Sequence, residues 1–147
     1  MVFARSIFTG VFSLLLCAPA FAQQVAAAKK TIAVWNVGLE LDIGDCDENE
    51  VTYLRNKETL SGNISFYVAK NGKIEASGLP GRSKYVGSIK GRKFVGTIEG
   101  GSSGRIKSKE ILTISRFKAR QSDVTIKGTA LVNGVRCSYE YFGPGAQ

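Results

Sequence analysis

Histidine is absent from all 147 residues. That single absence removes His-based catalytic triads, His zinc sites, imidazole haem ligation and histidine pH switching. Cysteine is scarce too, with three residues and no C-x-x-C spacing, so neither a disulfide-dense mini-scaffold nor a thioredoxin-like redox pair is encoded. No apolar run beyond the first twenty-two residues approaches the length of a membrane-spanning helix. What remains is ordinary for a folded chain: 22% charged, 44% hydrophobic, and long enough for one domain.

The N-terminus reads as an address. Arg5 supplies a basic start, Ile7 to Leu16 forms an apolar stretch of ten, and Ala20-Phe21-Ala22 is a small-x-small cleavage pattern. A cleaved signal peptide over residues 1–22 is expected, followed by a flexible lead-in over 23–30 and a single β domain over 31–147. A lipid anchor at Cys17 fits less well, because Leu16 stands where a small residue is needed. Only Cys46 and Cys137 survive cleavage, and in an oxidising compartment two cysteines pair most simply with each other. The expected setting is therefore the periplasm or the cell exterior.

Between Thr31 and Phe142 the pattern is that of strands. Trp35, Val37, Leu39, Leu41 and Ile43 alternate with polar residues and glycine, which predicts a strand buried on one face with Trp35 inward. Further strands are expected at Val51–Arg55, Asn63–Ala69 and Lys73–Ala76, the last two joined by a tight Asn71-Gly72 turn. Val86-Gly87-Ser88-Ile89-Lys90-Gly91 returns nine residues later as Val95-Gly96-Thr97-Ile98-Glu99-Gly100, as two arms of one hairpin would. Gly87 and Gly96 suggest bulges or bends there. Ile111–Phe117, Val124–Val132 and Val135–Phe142 complete the set, with a turn at Asn133-Gly134. No segment keeps a helical period, so an all-β antiparallel meander of eight or nine strands, closed as a small barrel or sandwich, is expected. Within the adjacent pairs Phe66-Tyr67 and Tyr141-Phe142, one ring of each must face outward.

Motifs for catalysis are thin. Ser115-Arg116-Phe117-Lys118 matches Ser-x-x-Lys, but on a strand those two side chains face opposite ways. Glu75, Glu99, Glu110, Asp123 and Glu140 are the carboxylates from which an acid–base pair could be drawn, and they read as exposed strand residues. The Gly100–Gly104 segment lacks the lysine and helix of a phosphate loop. Asp45, Asp47 and Asn49 alternate like calcium ligands, but Glu50 occupies the glycine position and Asn56 the bidentate position, so a solvated acidic loop is expected and no metal or cofactor.

Charge is distributed unevenly. Residues 23–58 sum to −3, while residues 59–147 carry fifteen basic and five acidic side chains, a sum of +10. Arg105, Lys107 and Lys109 are spaced by two, as are Arg116, Lys118 and Arg120; each trio is expected on one face of an extended segment. With Arg82, Lys84, Lys90, Arg92 and Lys93 they form a candidate anion-binding face. These features predict a non-enzymatic exported module that holds an anionic polysaccharide, lipid head groups or an envelope protein, with nucleic acid an unsuitable partner behind a signal peptide. Two other readings are an inhibitor or accessory factor of an envelope hydrolase, contacting through the acidic loop around Cys46, and a carboxylate-based enzyme.

Overall fold

A computed structural model describes residues 29–47, 58–100, 106–132 and 134–147. They form eight antiparallel strands and no helix: β1 (Thr31–Asp42), β2 (Thr59–Val68), β3 (Ile74–Ser77), β4 (Tyr85–Lys90), β5 (Lys93–Gly100), β6 (Ile106–Ile114), β7 (Gln121–Val132) and β8 (Val135–Ala146). Each strand pairs with its successor, and β8 returns to β1 through Asn36 opposite Ala146 and Leu41 opposite Tyr141. The meander is a closed barrel. The signal segment and the expected strand at Val51–Arg55 lie outside the described residues.

The alternation that predicted β1 puts Trp35, Val37 and Leu39 inside, while Ile43 falls just past the strand and is exposed. Two packing regions divide the interior. At one end Trp35, Phe66, Phe94 and Phe117 form an aromatic cluster with ring centroids 4.8 to 6.2 Å apart. Toward the other end Tyr85, Tyr139 and Tyr141 point inward. The adjacent aromatics resolve as alternation requires: Phe66 and Tyr141 are fully buried, Tyr67 is half-buried on the outside and Phe142 is exposed. Among the described residues, the Trp35 indole nitrogen is the buried side-chain atom left without a hydrogen-bond partner. That costs about 1–3 kcal/mol, which the burial of so large a ring offsets.

Three local expectations need correction. The Ile111–Phe117 strand stops at Ile114, because residues 115–120 turn so that Phe117 can cap the aromatic cluster. Its amide donates to Arg92 O at 2.7 Å, and Arg116 N donates to Ser122 Oγ at 2.8 Å. The Asn71-Gly72 turn is a three-residue loop, not a two-residue one: Ala69 N donates to Lys73 O at 2.8 Å and Gly72 N to Ala69 O at 2.9 Å, with Gly72 at φ 77°. A lone left-handed glycine at the end of such a loop is the other common hairpin solution. Gly87 and Gly96 make no bulge, since they stand opposite each other in an unbroken register. Gly96 instead leaves room for the Phe94 ring, whose Cζ lies 2.7 Å from where a Cβ would be.

Cys46, in the connection after β1, is bonded to Cys137 on β8 across 91 residues of chain, with Cα atoms 4.9 Å apart. The bond fastens the connection beside the β1–β8 seam. Asp45 supports it there, its carboxylate accepting from Ser138 N and, at 2.7 Å, from Ser138 Oγ. These bonds, the backbone one first, hold the Asp45 carboxyl below the usual aspartate range. A depressed folded value means the contribution is in place above about pH 4 and is lost as pH falls through that folded value. Chain-entropy arguments assign a loop of this length up to about 4.5 kcal/mol. The C46S/C137S variant is expected to lose most of that in urea unfolding, with the barrel still formed in far-UV circular dichroism; an unchanged urea midpoint would contradict the clasp.

Candidate polyanion-binding end of the barrel

In a closed meander every second connection lies at the same end. The β2–β3, β4–β5 and β6–β7 connections therefore share one end with the start of β1 and the finish of β8. Hydrogen bonds join them directly: Phe117 N to Arg92 O at 2.7 Å and Gln147 N to Arg120 O at 2.9 Å. Those connections carry Lys70 and Lys73, Lys90, Arg92 and Lys93, and Arg116, Lys118 and Arg120, all exposed. Lys29 and Lys30 precede β1 at the same end. Residues 69–73, 90–93 and 115–120 contain no aspartate or glutamate. The result is a ring of positive charge around a barrel end capped by Phe117.

Six of the eleven expected anion-binding residues thus converge: Lys90, Arg92, Lys93, Arg116, Lys118 and Arg120. The second trio does so on a turn and not on one face of a strand, for the reason that pulls Phe117 inward. Lys107 and Lys109 do share an outward face, on the wall of β6, nearer the opposite end and with Glu99 opposite Lys109 in register. Arg105 lies outside the described residues. Lys84 does not join the ring either. It donates to Glu75 at 2.8 Å, and Lys29 donates to the other Glu75 oxygen at 2.5 Å. The bond from Lys29 first, then that from Lys84, lowers the Glu75 pKa below the usual range.

Arg82 is the clearest correction. It enters the barrel from the connection between β3 and β4, with its side chain 8% exposed, and engages Glu110 on β6. Nε donates to Oε2 at 2.7 Å and Nη2 to Oε1 at 2.8 Å. Tyr85 OH donates to Oε2 at 2.5 Å and Tyr139 OH to Oε1 at 2.8 Å, so both carboxylate oxygens accept two bonds. The guanidinium also lies 5.2 Å from the centre of the Tyr141 ring. Burial opposes the Arg82 charge, but the hydrogen bonds and negative charge of Glu110 outweigh it and hold the guanidinium above its ordinary pKa. Burial, then the Glu110 charge, push the Tyr85 hydroxyl far up. Glu110, expected as an exposed strand carboxylate, is buried because it shares the inward phase of Leu112 and Ile114. That phase was the available signal for it.

Sequence reasoning missed Lys30, Lys70 and Lys73 as part of the ring. The turn signal at Asn71-Gly72 placed two of them on a hairpin tip, and strand parity then puts that tip beside the β4–β5 and β6–β7 tips. A depression of about 550 Å³, open to solvent, lies between the β6–β7 turn and the end of β8 and is lined by Arg116, Ala119, Arg120, Gln121, Ala146 and Gln147. Arg116 and Arg120 are the cations among its lining residues, and the Gln147 amide there donates to Phe117 O at 2.7 Å.

No protein-family model matches this chain, and neither a curated protein nor a solved structure is found to match it.

The Arg82–Glu110 network and the surface pair Lys127–Glu140, 4.0 Å apart and exposed, make opposite predictions. Glu110→Gln leaves a buried cation without its counter-charge and is expected to cost about 3 kcal/mol in urea unfolding. Glu140→Gln should change stability by no more than about 0.5 kcal/mol. Equal effects would contradict the account of the interior.

Proposed function

We propose that the protein is an exported, non-enzymatic binding module whose cationic barrel end holds an anionic polymer or surface. One observation carries the reading: three hairpin tips, free of carboxylates, set eight exposed cations around a single barrel end. Charges gathered this way raise the local concentration of a polyanion and bind it through counterion release. The Cys46–Cys137 disulfide suits an oxidising compartment, and residues 1–22 carry a secretory address. In such a place the anions are polysaccharides, lipid head groups and acidic envelope proteins.

The other two readings have less behind them. For an inhibitor docking through the acidic loop, Asp45, one of the acids it would use, is committed to Ser138. Of the carboxylates an enzyme could draw on, Glu110 has both oxygens occupied by Arg82, Tyr85 and Tyr139, and Glu75 is held by Lys29 and Lys84.

Binding to immobilised dextran sulfate, followed against salt, tests the proposal. Affinity is expected to fall by about three decades between 50 and 200 mM if six cations engage. The K90Q/R92Q/K93Q variant should bind much more weakly, while K107Q/K109Q on the side wall should bind as the parent does. A flat salt response, or equal losses in the two variants, would contradict the reading.

A further inference from the structure

We propose that the cationic end seats the barrel end-on against an anionic lipid bilayer, with aliphatic side chains beside the cations entering the interfacial layer. The inference rests on the reading of that end as a polyanion-binding surface and names the surface it fits.

Two independent observations carry it. The first is the shape of the charge. The cations stand on the tips of separate connections around a barrel end that Phe117 caps from within. A single polymer strand crossing such an end meets only some of the tips at once, whereas a planar array of phosphates meets them together.

The second is apolar. Ile32 (39%), Val34 (45%) and Val68 (45%) are exposed at this same end. Val34 faces outward opposite Ser65, and Thr31 pairs with Tyr67, so these side chains sit at the foot of the β1–β2 ladder. The first residue of β1 that pairs with β8 is Asn36, so residues 31–35 run on past that seam. Ile32 falls where the β1–β2 register shifts, which leaves it the extra residue of a bulge. The Ala69–Lys73 loop, carrying Lys70 and Lys73, continues directly from Val68.

Cations beside exposed aliphatic groups are the two signals that together hold a peripheral protein at a membrane, where either alone binds marginally. Lysines near an anionic leaflet contribute about fivefold in affinity each. A soluble polysaccharide offers the aliphatic side chains nothing.

The test compares vesicles of phosphatidylcholine with 25% phosphatidylglycerol, vesicles of pure phosphatidylcholine, and dextran sulfate, using the parent chain and an I32S/V34S/V68S variant. All three substitutions fall on exposed positions, and circular dichroism checks that the barrel is retained. The parent is expected to sediment with anionic vesicles and not with neutral ones. The triple serine variant should lose at least tenfold on anionic vesicles while holding dextran sulfate as tightly as the parent. Binding to dextran sulfate without binding to anionic vesicles would overturn the lipid assignment and leave the cationic end as a polymer site. Undiminished vesicle binding by the serine variant would overturn the part given to the aliphatic groups, and failure on both probes would remove the broader reading as well.

Discussion

Pairing of the first strand with the last determines nearly everything else about this molecule. Once Asn36 through Asp42 bond to Ala146 through Glu140, eight consecutively joined strands have no free edge along the seam. The closure also sorts the connections into two ends by parity alone. Charge that looks merely uneven along the sequence becomes polarised in space. Asp45, Asp47 and Glu58 belong to a connection at one end, and the three carboxylate-free tips with their eight exposed cations stand at the other, while Arg82 and Lys84 of the β3–β4 connection are bonded to Glu110 and Glu75. The disulfide holds the seam where the β1–β2 connection folds over β8.

The interior is divided in a matching way. Beneath the cationic tips it holds, among the described residues, no charged side chain and is packed with four aromatic rings, one of them delivered by the turn that also presents Arg116 and Lys118; Ser122 is its buried polar residue, bonded to Arg116 N. Filling the core with Phe117 and displaying the flanking cations outward are thus two consequences of one turn. At the opposite end the interior holds a buried ion pair with two tyrosine hydroxyls. Such a pair is weak evidence for stability, since desolvation consumes most of its attraction, but removing one member leaves a stranded charge. Replacing both by aliphatic groups would strand Tyr85 and Tyr139 instead. Four groups that satisfy one another make this end specific, and they hold the β3–β4 connection against β6.

Much of the fold was legible in the residues. Period-two alternation placed Trp35, Val37 and Leu39 inside, and Cys46 and Cys137 are bonded to each other as expected. The repeated Val-Gly segments formed one hairpin, as expected. The candidate site was only half legible, and the reason is parity. A strand expected at Val51–Arg55 left the count at eight or nine, and one strand more or less sends every later turn to the other end of the barrel. That strand precedes all three cationic tips and moves them together, so parity already groups Lys70 and Lys73 with Arg92 and Lys118; only Lys30, ahead of β1, could not be grouped with them until the count was fixed. Arg82 was misplaced for a different reason. A loop arginine reads as exposed unless a buried carboxylate waits for it, and Glu110 was recognisable only by its phase with Leu112 and Ile114. The trio Arg116, Lys118 and Arg120 lies on a turn and not on one face of a strand, and nothing local announces that Phe117 turns inward.

The central claim is that the cations on one barrel end act together on an anionic partner. Residue-resolved amide shifts during titration with a short dextran sulfate test it most directly. The account predicts perturbations concentrated at residues 69–73, 90–93 and 115–120, with residues 43–47 and 78–84 at the far end unmoved. Perturbations spread evenly over both ends, or centred on Lys107 and Lys109 of the side wall, would contradict it.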